Sequence, residues 1–176
     1  MADKYRLHGI ETVSLGDVGA DGAMGGTLVA VGALVKESVI FEIEEPEIAR
    51  IMVEGTDDPD ILAITQGGMK TLKFQTRDFD INNLVSFFGG AVSETIYSAP
   101  VNSNTKIWQS VEVIGNFVNG MQAKLSIPKA LIYAKMTGGF TPGDSGIMEV
   151  TCEVGVPVNA TGVALSPYTF TYVDEA

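Results

Sequence analysis

The sequence predicts a mainly β fold, an antiparallel β-sandwich or partly closed barrel with one short flanking α-helix at about residues 80–89. Three observations predict it. The first is four stretches that alternate apolar and polar residues with period two, as strands with one dry and one wet face do. Val39, Phe41 and Ile43 alternate with Ile40, Glu42 and Glu44; Leu72 and Phe74 with Lys73, Gln75 and Arg77. Met121, Ala123, Leu125 and Ile127 alternate with Gln122, Lys124 and Ser126; Met148, Val150, Cys152 and Val154 with Ile147, Glu149, Thr151 and Glu153. The second is turn chemistry at short intervals along the chain. The third is that only one segment switches to the helical period.

The elements follow in order. Residues 10–15 read as a first strand, and residues 16–26 as a glycine-rich loop of low intrinsic order. Residues 27–35 are β-branched enough for a strand, which Gly32 weakens. Lys36 and Glu37 turn the chain into a strand at 39–44, which Glu45-Pro46-Glu47 breaks. A strand resumes at 49–54, an acidic turn covers 54–60, and strands at 61–65 and 69–77 flank Gly67-Gly68. In residues 78–90, Asp80 is a natural N-cap, and Ile81, Leu84, Val85 and Phe88 share one helical face. Gly89 suits the left-handed conformation that closes a helix. Strands return at 91–97, 106–114, 121–127, 129–136, 146–154 and 168–173.

Asn119-Gly120 is a strong hairpin signal. A regular ladder through it would put Glu112 opposite Ile127 and leave Val111 and Val113 on the polar side. A bulge near Gly115-Asn116 is therefore expected, carrying both valines to the dry face.

Length and composition suit one domain spanning 1–176, with a mobile N-terminal segment. The net charge is −11 and the pI about 4.4, which excludes a protein whose main task is gripping phosphate backbones. The first residues carry charges with no apolar run behind them, so neither a leader nor a membrane span is expected.

Little in the chain points to catalysis. Cys152 is the one cysteine and falls on a dry face, so a buried structural thiol is expected. His8 is the one histidine and lies far from it in sequence. No nucleophile elbow, phosphate loop or dinucleotide fingerprint is present. Asp57, Asp58 and Asp60 lack the spacing of a calcium loop and read as a solvated turn, as do Asp17 and Asp21. Glu149 and Glu153 lie about 13 Å apart along one strand, too far for a catalytic pair. Trp108, Tyr97 and Phe117 are candidates for an aromatic sugar platform, with core packing the competing use. No catalytic residue, cofactor or metal is expected.

The chain resembles the tail tube proteins (major tail proteins) of long-tailed bacteriophages. The resemblance is carried by residues 34–46, a strand ending in Glu44-Glu45-Pro46; by residues 53–59, an acidic turn after Glu54-Gly55; and by residues 71–80, an amphipathic strand leading to a helix that ends Phe88-Gly89-Gly90. Similar order and texture run from about Arg6 onward. The resemblance implies a β-sandwich with one flanking helix, whose copies form hexameric rings that stack into a tube. It implies a virion protein assembled in the bacterial host cytoplasm, with tape measure, tail terminator and baseplate or sheath proteins as partners. DNA would pass through the lumen without specific binding. Carboxylates lining such a bore repel phosphate. The candidate lumen residues are Glu42, Glu44, Glu149 and Glu153. Lys73, Arg77 and Lys124 stand on other wet faces, facing the bore or pairing across subunits. The candidate ring-stacking loops carry Asp17 and Asp21, and Asp57, Asp58 and Asp60. The competing reading is a small β-sandwich that binds carbohydrate or a protein receptor through aromatics near Trp108 or Tyr97.

Overall fold

The computed structural model describes residues 9–52, 54, 59–102, 105–118, 120–138 and 146–174, with the backbone alone at 51, 52 and 59–62. Among them are twelve strands and one α-helix. The strands are β1 (Ile10–Asp17), β2 (Val29–Ala30), β3 (Ile40–Ile43), β4 (Glu47–Met52), β5 (Pro59–Gln66), β6 (Lys70–Thr76), β7 (Ala91–Ser93), β8 (Ile96–Ser98), β9 (Ile107–Val118), β10 (Met121–Thr137), β11 (Ile147–Val154) and β12 (Thr169–Asp174). The helix α1 spans Ile81–Phe88. The expected fold class holds: strands dominate, every sheet pairing is antiparallel, and one helix flanks a sandwich that does not close into a barrel.

The main sheet runs β2-β1-β9-β10-β11-β6-β3, with β12 also paired to β10. Its backbone is β10, a single strand of 17 residues where the sequence suggested two. The first half of β10 pairs with β9 and β12, the second half with β11 and the start of β9. The halves meet at Pro128, where the β9 register shifts between Ile127 and Ala130. Proline has no N–H to donate, so it is tolerated where the ladder is already interrupted by a bulge. The exposed carbonyls there are used: Pro128 O accepts from Ser110 Oγ at 2.7 Å, and Lys129 O accepts from Gly155 N–H at 2.9 Å. The resulting bend folds the sheet on itself, so that β1 and β6 contribute to one core although three strands lie between them.

The bulge expected near Gly115-Asn116 is present. Ile114 pairs with Lys124 and Phe117 with Gln122, so two residues of β9 oppose Ala123 alone. Val111 and Val113 are thereby turned inward and are 0% and 5% exposed. They join Val13, Leu15, Leu72, Phe74, Leu125, Ile127, Met148, Val150 and Cys152 in one buried cluster. The dry-face residues Leu72, Phe74, Ala123, Leu125, Ile127, Met148, Val150 and Cys152 are buried; Val39, Phe41, Met121 and Val154 are half-buried, and Ile43 is exposed at the end of β3.

The segment 29–35 is less regular than expected. Only Val29 and Ala30 form a strand. The rest works as a clasp between the two edges of the folded sheet. Val31 N–H donates to Val13 O at 2.8 Å on β1, and Val35 N–H donates to Gln75 O at 2.8 Å on β6. Thr76, wholly buried, donates its hydroxyl to Gly32 O at 2.6 Å and accepts Asp78 N–H at 3.0 Å.

Helix α1 starts and stops where the sequence indicates. Asp80 Oδ1 accepts Asn82 N–H at 2.8 Å, and Gly89 closes the helix at φ 73° with its N–H on Val85 O. The buried face is rotated from the expected one. Phe87 and Asn83 are the buried residues, with Leu84 and Phe88 packed against the core at their side. Asn83 hid this face in the sequence; its amide donates to Asp78 O at 3.4 Å. Phe87 meets Phe74 edge-to-face at 6.1 Å. The single strand expected at 91–97 is instead the hairpin β7–β8, turned at Glu94 with φ 55°.

Two substitutions rank these contributions. Phe87→Ala opens a cavity against Phe74 and is expected to cost about 3–5 kcal/mol. Asp80→Ala removes one exposed cap and is expected to cost about 1 kcal/mol. Urea unfolding of both variants checks the order, and equal losses would contradict the assignment of Phe87 as the helix anchor.

Candidate assembly interface

The wet face of β3, β6, β11 and the second half of β10 gathers three of the four candidate lumen carboxylates. The register places Glu42 beside Thr71, Thr71 beside Glu153, Glu153 beside Leu131 and Leu131 beside Trp108 in one row. A parallel row holds Gln75, Glu149 and Lys135, and between them lie Ile40, Lys73, Thr151 and Tyr133. Glu44 lies just beyond β3, at the margin of this face, its N–H bonded to Met69 O at 2.9 Å. The face is of mixed charge. Lys73 Nζ sits 3.5 Å from Glu42 Oε2, and Gln75 Nε2 donates to Glu149 Oε1 at 3.2 Å. Three carboxylates and the ammoniums of Lys73 and Lys135 sum to −1, and Glu44 brings the total to −2. Lys124 belongs to a different wet face, where it pairs with Glu112 at 2.6 Å.

The loop after β1 is folded back rather than loose. Gly25 N–H donates to Ser110 Oγ at 2.9 Å, and Gly19 N–H to Ala23 O at 3.2 Å. A Cβ at Gly25 would stand 2.2 Å from Asp17 O, so glycine here serves close backbone approach. Asp17 ends β1 opposite Gln109, and Asp21 sits at φ 56° in the tight turn Ala20–Gly22. Asp57 and Asp58 lie outside the described residues, as does His8; Asp60 is placed by its backbone in β5.

The feature that sequence reading missed is the relation of β4 and β5 to the body. They pair only with each other, and no other described element packs extensively against them. Ile48 stands opposite Ile64 in the register, and the two are 49% and 70% exposed. Ala49 pairs with Ala63, Arg50 with Leu62 and Ile51 with Ile61 at the next three positions. At the root of this arm Ile43 and Met69 are also exposed. An isolated two-stranded hairpin is marginal in water. Burying one isoleucine is worth about 1.5–3 kcal/mol, a gain that Ile48 and Ile64 realise only in part among the described residues. The only sequence signal was the density of isoleucine around Glu45-Pro46-Glu47, where a polar loop would be ordinary.

Two sheet margins are open as well. Neither the outer edge of β3 nor that of β12 has a strand partner among the described residues. Phe41 of β3 meets Tyr168 at 5.3 Å and Phe170 at 6.0 Å, both edge-to-face, linking the margins. Beside them opens a cleft of about 990 Å³.

The three aromatics of the sugar-platform reading are not brought together. Trp108 and Phe117 lie nine positions apart on β9, about 30 Å in an extended strand. Tyr97 is on β8, in a separate groove with Phe88, Pro100 and Ile107. One face of Trp108 is covered by the Lys129 ammonium, 4.7 Å from the ring centroid. Among the described residues no three of His, Cys, Asp and Glu lie together as a metal-binding set, and no helix is long and apolar enough to cross a membrane. No protein-family model matches the chain, and no curated protein matches it.

Cys152 is fully buried at the centre of the core, and desolvation pushes its thiol far above the ordinary range. The unfolded thiol ionises near its usual pKa of about 8.5. Its contribution to stability is therefore complete below that pH and is lost progressively as the pH rises above it. A maleimide or disulfide reagent is expected to label Cys152 only at the rate of global unfolding, with urea accelerating both together. Rapid labelling of the native protein would contradict its placement.

Proposed function

We propose that this chain is a structural subunit that assembles with copies of itself, as hexameric rings stacked into the tail tube of a long-tailed bacteriophage. The observation that carries the reading is the β4–β5 arm, with Ile48 and Ile64 paired and exposed, and with no other described element packed extensively against it. An apolar arm on one side of a subunit and its receiving surface on another make a heterologous contact. Such contacts repeat around a ring or along a filament instead of closing in a pair. The open margins of β3 and β12 offer further strand pairing to a neighbour. The ring symmetry, the tail partners and the passage of DNA come from the resemblance of the sequence to tail tube proteins.

In this reading the face bearing Glu42, Glu149 and Glu153 lines the bore. Its small negative excess and the overall charge of −11 suit a surface over which DNA slides. The lysines interleaved among the carboxylates hold the local field weak.

Negative-stain microscopy of the purified chain is expected to show rings or tubes. The pair Ile48→Asp and Ile64→Asp is expected to abolish them while circular dichroism and the melting transition stay intact. Tubes that form normally in this double variant would remove the arm from the interface. Charge reversal tests the bore. Tubes carrying Glu149→Lys and Glu153→Lys are expected to retain DNA at low salt and release it steeply as salt rises. Equal DNA retention by native and reversed tubes would place that face elsewhere.

A further inference from the structure

We propose that the β4–β5 arm of one copy docks in the apolar groove between α1, β8 and the end of β10 of the next copy. This contact, which rests on the assembly reading above, gives the arm its receiving surface. The groove has a volume of about 450 Å³ and is lined by Phe88, Tyr97, Pro100, Ile107, Ala134 and Met136. Tyr133 also lines it; Tyr133 is 50% exposed and Met136 52%. Every described lining residue is uncharged.

The backbone beside the groove suits a strand. The pairing of β10 with β9 ends at Ile132 and Ile107, so residues 133–137 keep one edge unpaired among the described residues. An unpaired edge next to an apolar groove fits an occupant that brings both a free strand edge and apolar side chains. β4 and β5 pair only with each other, which leaves each an outer edge, and Ile48 and Ile64 stand on one face. Directly opposed side chains have Cβ atoms about 5 Å apart, and the groove is about 8 Å across if its volume is taken as a cube, so the pair enters together. The arm does not lie in the groove of its own chain: Ile48 and Ile64 are exposed, and neither α1 nor β8 packs extensively against it.

Charge selects between this groove and the larger cleft beside β3. Residues 44–52 and 59–66 carry Glu44, Glu45, Glu47 and Asp60 against Arg50, a sum of −3. The cleft is lined by Glu11 and Glu37 with Lys36, a sum of −1, and repels such an arm. Within three residues of the groove lining stand Lys106, Lys129 and Lys135 against Glu94, a sum of +2. Lys129 lies over Trp108. Lys106 falls between the lining residues Thr105 and Ile107, and Lys135 between Ala134 and Met136. Neither has an ion-pair partner among the described residues. Glu149, opposite Lys135 on β11, is bonded to Gln75 instead. Two free ammoniums therefore await the arm carboxylates at the groove margin. Exposed pairs of this kind orient the encounter, while the isoleucines supply the affinity.

The test uses the full chain at concentrations where light scattering reports assembly. Met136→Asp puts a charge in the groove, and Lys106→Glu with Lys135→Glu reverses its margin. Each variant is expected to need at least about tenfold more protein for half-assembly, with circular dichroism unchanged. Glu45→Lys with Glu47→Lys, added to the lysine reversal, is expected to recover most of that loss, which a merely structural defect would not allow. Mixing Ile64→Cys chains with Met136→Cys chains is expected to give a disulfide between copies; Cys152, wholly buried, stays out of the reaction. Assembly unchanged by the groove variants would overturn this docking site while the arm reading stands. So would Ile64→Cys cross-linking to Leu34→Cys, in the cleft wall, in place of Met136→Cys. A native chain that stays a monomer at every concentration, or that assembles equally with Ile48→Asp and Ile64→Asp, would remove the arm reading and this site with it.

Discussion

The pairing of β9 with β10 is the constraint on which the rest of the molecule depends. Two register shifts lie in this one ladder, and each does a separate task. The shift at Gly115-Asn116 turns Val111 and Val113 into the core. The shift at Pro128 changes which alternate residues of β10 face the core, from Ala123, Leu125 and Ile127 to Ala130 and Ile132. Without the first, the wet and dry faces of the hairpin disagree. Without the second, β6 and β11 could not meet β1 across a common core. Bulges bend strands and strengthen their twist, and this sheet uses them to become its own second layer.

A well-satisfied body contrasts with an unsatisfied arm. The core cluster draws on β1, β6, β9, β10, β11 and α1, and the clasp at 29–35 ties its two margins through Val31, Val35 and Thr76. The hairpin β4–β5 shares none of this, yet it carries isoleucine opposite isoleucine. Charge decides little by comparison. The ion pair of Lys73 with Glu42 is exposed and worth a fraction of a kcal/mol, while each isoleucine left in water forgoes several times as much. The arm is therefore the stronger pointer to what the protein does, and the mixed charge of the wet face is secondary.

Much of this was legible in the sequence, for identifiable reasons. Period-two alternation identified the inward residues of β6, β10 and β11, because the pleat makes that assignment almost without reference to partners. The conflict between Asn119-Gly120 and the apolar pattern of β9 located the bulge. Three features stayed hidden. Phe87 was passed over because polar Asn83 shares its face, and the hydrogen bond that satisfies Asn83 is tertiary. The turn between β7 and β8 uses Glu94 at positive φ, where glycine or asparagine would have announced it. The isolation of β4 and β5 could not be read, since alternation reports that a face is apolar and says nothing of what covers it. Glu42, Glu149 and Glu153 share one outward face, and the lysines interleaved among them reach it from strands whose neighbours only the topology reveals.

The claim at the centre of this account is that the β4–β5 arm is buried by sister copies. Hydrogen–deuterium exchange of the arm amides, at residues 48–50 and 63–66, measures that burial directly in dilute and in concentrated protein. The account predicts fast exchange at dilution and strong protection at high concentration, while the amides of β9 and β10 stay protected in both. Arm amides that exchange equally fast at every concentration, with the particle mass unchanged, would contradict it.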